Sequence, residues 1–132
     1  MVAISEWTGA LRSKKYWQGT RALYDSDSNT YCCLGVLCEL AGCKLSGRKL
    51  DSVDIFEFGD SFGKGIDKFF ARDNMSRLEY LAFLNDMGLS FNVIAKEIEA
   101  IEGGDDGRYL QFTRDASASL IQEVRNFHTK GV

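Results

Sequence analysis

Proline is absent from the chain, so its turns must be built from residues such as glycine, aspartate and asparagine. No apolar run approaches the ~20 residues that a membrane-spanning helix requires, and we expect no membrane association. The first residues, MVAISEW, contain no basic segment followed by an apolar one, so we also expect no signal peptide. A chain of 132 residues can bury roughly two-thirds of its unfolded surface. We therefore predict a single compact domain, residues 1–132, located in the cytoplasm.

Histidine occurs once, as His128, and all the cysteines fall within residues 32–43. This clustering does not predict a disulfide framework, because most of the cysteines share one predicted helix and a cytosol is reducing. A zinc site from these cysteines is not expected either, since no C-x-x-C spacing occurs. We interpret the thiols as small buried hydrophobic groups. They belong to Cys32, Cys33, Cys38 and Cys43.

A cysteine-dependent hydrolase is a less favoured alternative. Cys33 lies near the start of a predicted helix, where the pKa of a thiol falls. Its base would have to be His128, and no neighbouring residue marks this histidine as a base.

The turn at residues 25–29 begins like a calcium loop, yet Thr30 and Val36 replace the glycine and the glutamate that such a loop requires. We therefore predict no catalytic residue, no metal ligand and no cofactor.

The most apolar stretch, residues 31–42, contains a single charged side chain, Glu39. Its apolar residues form two adjacent stripes at helical spacing, which predicts a helix buried over most of its circumference. Gly35 costs this helix about 1 kcal/mol relative to alanine, so we expect another part of the chain to approach it closely there. Gly42 is suited to the position just after the helix.

Shorter elements are predicted before this helix. Ile4 and Trp7 share one face of an amphipathic first helix, for which Ser5 is the expected N-cap. Residues 21–24 and 30–32 are predicted to be two short strands that form a hairpin across a polar turn.

A pair of helices is the best-defined unit in the second half of the chain. Ser76 and Glu79 form a capping box at the start of the first helix, which we expect to run through Met87 and to end at Gly88. Ser90 is the expected N-cap of the second helix.

The remaining stretches predict further elements. Residues 53–58 and 109–112 are candidate strands, and a last helix is expected from about Asp115. Residues 44–75 otherwise show no clear pattern. The whole predicts an α+β fold, a single domain in which four or five helices pack around a buried cysteine-rich helix beside a small antiparallel β-hairpin or sheet.

The N-terminal segment is the strongest candidate for a binding site. Residues 1–24 carry four basic side chains against one acidic side chain, a net charge of +3. Cationic side chains bind phosphate, and a flat aromatic ring stacks on a nucleobase. We expect basic residues to hold a phosphate, Tyr16 or Trp17 to stack on a base, and polar residues to read its edges. The predicted ligand-binding residues are Arg12, Lys15, Tyr16, Trp17, Gln18, Arg21, Asn85 and Asp86.

Two features of the second half suggest other partners. Residues 97–106 contain five acidic side chains and no basic one, so this face could bind a basic protein surface. Residues 84–95 resemble a helix-turn-helix, but the acidic side chains that follow would repel DNA, whose binding depends on phosphate neutralisation. We therefore consider DNA binding unlikely.

Three blocks of sequence resemble a family of small phage and prophage proteins. The blocks are W..ALRS..Y.QG at residues 7–19, YCCLGVLC at residues 31–38 and LND.G.SF..IA..IE at residues 84–99. The resemblance covers residues 7–41 and 78–99, and it implies a short phage gene that acts on host defence or host regulation in the host cytosol.

These observations lead to two hypotheses from different classes. The leading one is a non-catalytic phage accessory protein, a host-defence antagonist that binds and sequesters a small anionic ligand of nucleotide type. The alternative is an inhibitor of a host defence or regulatory protein that acts through the acidic face at residues 97–106. In either case a homo-oligomer is possible, with Trp17 as one candidate for its interface.

Overall fold

The computed structural model describes residues 2–42, 62, 64–70 and 75–115. Six helices and two strands lie within these ranges. In chain order they are α1 (Ile4–Arg12), β1 (Tyr24–Asp25), β2 (Thr30–Tyr31), α2 (Cys33–Leu40), α3 (Lys64–Phe70), α4 (Arg77–Asp86), α5 (Phe91–Glu102) and α6 (Gly107–Asp115). The strands pair antiparallel, with Tyr24 opposite Tyr31. The α+β class is confirmed.

The central helix α2 is buried as predicted. Every residue from Cys33 to Cys38 is inaccessible to solvent or nearly so. The first helix packs across its start, where the indole Nε1 of Trp7 donates a hydrogen bond of 2.9 Å to the carbonyl of Cys33. Trp7 also contacts Phe69 of α3 edge-to-face, with ring centroids 5.8 Å apart. The core therefore joins α1, α2 and α3 around one tryptophan.

The close approach predicted at Gly35 is confirmed. A Cβ added to Gly35 would lie 1.7 Å from the carbonyl oxygen of Leu23. That carbonyl is fixed, because it accepts a hydrogen bond of 3.2 Å from the backbone N–H of Cys32. Only glycine lets the chain before β1 lie directly against α2.

The capping signals of the helix pair are also confirmed. Ser76 Oγ accepts from the N–H of Glu79 at 3.1 Å, and the carboxylate of Glu79 accepts from the N–H of Ser76 at 3.1 Å. Ser90 Oγ accepts from the N–H of Val93 at 3.3 Å. The turn between α4 and α5 contains Gly88 at a φ of +91°, a conformation that other residues adopt at a cost.

Several predicted boundaries were wrong. Residues 109–112 belong to helix α6 rather than to a strand. Helix α1 is preceded by Ala3, not Ser5, as its N-cap, and Glu6 accepts a hydrogen bond from the N–H of Ala3 at 3.2 Å. The strands are shorter than predicted, and six helices lie in the described ranges instead of four or five. The helix α3 was not predicted.

The candidate strand at residues 53–58 and the last helix predicted from about residue 115 lie outside the described residues. Within the ranges that the structure describes, no helix is both long enough and apolar enough to cross a membrane.

Replacing Gly35 by alanine should destabilise the fold. The new methyl group would overlap the Leu23 carbonyl, so α2 and the preceding chain must separate. We expect the free energy of unfolding in urea to fall by about 2–3 kcal/mol, the cost of an overpacked core. The matched control is Gly9→Ala in α1, where an added Cβ meets nothing within 4 Å. That control should gain about 0.5–1 kcal/mol, and equal behaviour of the two variants would contradict the prediction.

Candidate functional site

The loop between α1 and β1 carries most of the predicted binding residues. Two basic residues in it, Lys14 and Arg21, have φ values of +62° and +65°, a left-handed conformation that costs a residue with a side chain about 1–3 kcal/mol. Between them the backbone follows β2. The N–H of Tyr31 donates to the carbonyl of Trp17, and the N–H of Gly19 donates to the carbonyl of Tyr31, both at 2.8 Å. The backbone on either side of Gln18 is therefore held in place.

Asn85, at the end of α4, connects this loop to the core. Its side chain is completely buried. The Oδ1 atom accepts hydrogen bonds from the backbone N–H of Cys33 at 3.2 Å and from Nε2 of Gln18 at 3.0 Å. The Nδ2 atom donates to the carbonyl of Gly19 at 2.7 Å. One amide group thus links the start of α2, the end of α4 and the loop.

Gln18 and Asp86 add further links. Gln18 Nε2 also donates to the carbonyl of Leu89 at 2.7 Å, and its Oε1 accepts from the N–H of Phe91 at 3.2 Å. Asp86 Oδ1 accepts from the N–H of Arg21 at 2.8 Å. The side chains predicted to read a ligand's edges therefore fix the loop against the turn between α4 and α5.

A cleft of about 410 Å³ lies between this loop and the first turn of α5. Its size falls within the ~300–1,000 Å³ range of small-molecule sites. Trp17 stands at the cleft with 76% of its surface exposed, although its backbone is held by β2. The cleft is lined by aromatic and apolar residues together with a lysine, a serine, a glutamine and an asparagine. The lining residues are Leu11, Lys14, Tyr16, Trp17, Gln18, Ser90, Phe91 and Asn92.

The structure brings three of the eight predicted binding residues together in this cleft, namely Tyr16, Trp17 and Gln18. Tyr16 packs edge-to-face against Tyr31, with ring centroids 5.1 Å apart. Lys15 lies beside the cleft, with its Nζ 5.5 Å from the ring centroid of Tyr16. A cation in that position contributes positive potential without lining the cleft.

The other four predicted residues are placed elsewhere. Both terminal nitrogens of Arg12 donate to the carboxylate of Glu99, at 2.8 and 2.6 Å, and this contact raises the pKa of the guanidinium and lowers the pKa of the carboxyl group. Arg21 and Asp86 lie at the far end of the loop, and Asn85 is inside the core. Arg12 therefore joins α1 to α5 in this structure.

Sequence reasoning missed Lys14, Ser90 and Asn92. Helix α1 ends at Arg12, and Lys14, two residues further on, lines the cleft. Ser90 was identified only as a cap. The spacing of W..ALRS..Y.QG from LND.G.SF gives no distance between the two segments, so the sequence carried no signal that they form one cleft.

The acidic stretch at residues 97–106 is largely paired within the molecule. Besides the Glu99 pair, Arg108 donates to the buried carboxylate of Glu97 at 3.1 Å. Arg77 contacts Asp106 at 2.7 Å and thereby lowers the pKa of that carboxyl group. This face presents less uncompensated charge than the sequence suggests.

The thiols of α2 and its N-cap are fully buried. Burial raises the pKa of Cys32 to about 12 and raises the pKa of Cys33 as well. Cys33 Sγ lies 3.6 Å from the carbonyl of Leu81, to which it donates. A nucleophilic cysteine needs the opposite environment, exposed and with a lowered pKa. Cys43 and His128 lie outside the described residues.

Comparison with known proteins relates the N-terminal part of the chain to a protein family. Residues 3–58 match a family described as a domain of unknown function, DUF8296. This segment includes α1, the loop and α2, and thus one wall of the cleft, whereas Ser90 and Asn92 lie beyond it. No curated protein and no solved structure matches the chain.

Replacing Asn85 by alanine should destabilise the fold strongly. The change leaves the buried N–H of Cys33 and the partly buried carbonyl of Gly19 without this partner, and an unsatisfied group costs about 1–3 kcal/mol when it is buried. We expect a loss of about 3 kcal/mol in urea unfolding. The control Asn92→Ala changes an exposed asparagine, and its effect should stay within about 0.5 kcal/mol. A loss of less than about 1 kcal/mol for Asn85→Ala would show that the linkage is weak.

The buried thiols should be unreactive in the folded protein. In a Cys43→Ser variant, the three remaining cysteines should react with a chromogenic disulfide at pH 8 about a hundredfold more slowly without urea than in denaturing urea, because burial disfavours the thiolate. A single thiol that reacts rapidly in the native protein would instead support the cysteine hydrolase alternative.

Proposed function

We propose that this protein binds a small anionic ligand of nucleotide type in the cleft beside Trp17. We further propose that it is a phage accessory protein that antagonises host defence by sequestering such a ligand. The single observation that carries the proposal is a tryptophan that is 76% exposed on a backbone held by β2, at the rim of a cleft that is also lined by Lys14.

The exposure of Trp17 is the first support. A large aromatic side chain contributes most to folding stability when it is buried. An exposed one that lies at a cleft is typical of a binding surface. The hydrogen bonds on either side of Gln18 restrict the backbone before any ligand arrives. Binding to a site arranged in advance costs less ordering entropy than binding to a flexible loop.

The polar groups around the cleft are the second support. Lys14 supplies a positive charge, Ser90 a hydroxyl and Asn92 an amide. Ser90 and Asn92 lie at the first turn of α5, where the helix dipole favours an anion. Lys96 follows Asn92 by one turn on the same exposed side of α5 and increases the positive potential. These are groups that bind and orient a ligand, which is why we propose binding without catalysis.

The alternative hypothesis, inhibition of a host protein through residues 97–106, has less physical support. Glu97, Glu99 and Asp106 are each paired with an arginine of the same chain. A partner would have to compete with these internal pairs to use their charge.

Trp17→Ala should abolish ligand binding and leave stability unchanged. The natural protein should show a rise in melting temperature with a nucleotide ligand, together with a change in tryptophan fluorescence. Trp7 is buried and gives a constant background. Trp17→Ala should lose both responses, and its melting temperature without ligand should change by less than about 2 °C, since surface changes cost little.

The control for Trp17→Ala is Leu110→Ala, which removes an exposed apolar side chain on α6 and should keep both responses. Size-exclusion chromatography tests the oligomer hypothesis separately. If the natural protein is a dimer that shows no response to ligand, and Trp17→Ala is a monomer, then Trp17 belongs to a subunit interface and the proposal is contradicted.

A further inference from the structure

We infer that the cleft takes a nucleotide with a single phosphate group, either a nucleoside monophosphate or a cyclic mononucleotide, in preference to a polyphosphate or a cyclic dinucleotide. This inference rests on the proposed function and restricts the class of nucleotide that the cleft binds. It is carried by the charge and the size of the cleft and by the conformation of Lys14.

The charge of the cleft fits one phosphate. Lys14 is the one cation among the described residues that line it. The guanidinium of Arg12, which would be the natural bidentate partner for a second phosphate, is held by Glu99 through two hydrogen bonds. A phosphate group carries about one to two negative charges at neutral pH, which matches one ammonium aided by Lys15 and Lys96 at a distance. A triphosphate would leave charge uncompensated.

The size of the cleft fits one base. Its volume of about 410 Å³ lies near the lower end of the ~300–1,000 Å³ range for small-molecule sites. Three aromatic residues line it, Tyr16, Trp17 and Phe91. Phe91 is buried, so the surface on which a base can stack comes from the neighbouring rings of Tyr16 and Trp17. A second base would therefore extend beyond the cleft into solvent.

The backbone of Lys14 is the third argument. Its φ of +62° is left-handed, where a glycine would be free of strain. Strained residues of this type are often found at ligand-binding positions. The conformation turns the chain directly after α1 and places Lys14 at the cleft. Arg21 has nearly the same φ, +65°, but lies outside the cleft, and so it provides a matched comparison.

The first experiment compares ligands on the natural protein by isothermal titration calorimetry. The panel contains adenosine and guanosine 5′-monophosphates, the corresponding 3′,5′-cyclic mononucleotides, the triphosphates without metal, and cyclic dinucleotides. We expect at least one single-phosphate ligand to bind about tenfold more tightly than any triphosphate or dinucleotide, a difference that one unmatched charge can produce. The two single-phosphate arms distinguish the linear from the cyclic form.

The possible results separate the two proposals. If a triphosphate or a cyclic dinucleotide binds as tightly as the best single-phosphate nucleotide, the inference about ligand class is wrong while nucleotide binding stands. If no member of the panel binds, and none changes the fluorescence of Trp17, the proposed function itself is wrong.

The second experiment uses the two strained residues. Lys14→Gly removes the cation and the strain together, so the variant should bind the best ligand about tenfold more weakly while its melting temperature is at least that of the natural protein. Arg21→Gly removes the same strain at a position outside the cleft, and its affinity should remain within about twofold. Equal affinities for Lys14→Gly and the natural protein would overturn the role of Lys14 and with it the charge argument.

Discussion

The side chain of Asn85 is the constraint on which the candidate site depends. It satisfies a backbone donor at the start of α2 and a backbone acceptor in the loop, and it holds the amide of Gln18. Buried polar groups are costly unless they are paired, so the loop, α2 and α4 can meet only in the arrangement that pairs all of these groups. The position of Trp17 follows, because its own carbonyl is held by β2 and the next residue, Gln18, is held by Asn85.

The second constraint is steric. Gly35 lets the Leu23 carbonyl lie against α2, which brings the hairpin over the first turn of the central helix. The tyrosines of the hairpin then pack against each other, with the ring centroids of Tyr24 and Tyr31 4.8 Å apart and the rings tilted by 45°, and Tyr31 in turn contacts Tyr16. A path of direct contacts therefore leads from the most buried helix to the aromatic wall of the cleft. The site is a consequence of how the core is packed.

Local signals in the sequence predicted the helices that depend on local contacts. The caps at Ser76 and Ser90 are contacts between residues three positions apart. The close approach at Gly35 was predictable because a glycine inside a helix is unfavourable unless another part of the chain needs the space. The stretch 109–112, a candidate strand in the sequence, contains aromatic residues, which are enriched in strands. In the structure Tyr109 and Phe112 lie one helical turn apart and both contact Tyr80, at 5.5 Å in each case, so tertiary packing decided the conformation.

The candidate site was predictable in part for the same reason. The local sequence indicated Tyr16, Trp17 and Gln18, which lie together in one loop. The local sequence could not show that Lys14 lines the cleft while Arg12 does not. Arg12 is held away by its ion pair with Glu99, which is 87 positions further along the chain. The cleft exists only where the loop meets α5, and no local pattern encodes that meeting.

The pairing of α1 with α5 has a consequence for the order of events during synthesis. Trp7 and Leu11 need the core around them, and Arg12 finds its partner only when residue 99 has left the ribosome. A nascent chain that ends near residue 58 would therefore expose the face of its first helix that packs against α5. Docking of the first helix is thus completed in two stages, because Trp7 can contact Cys33 inside the segment that matches the family, whereas Arg12 must wait for Glu99.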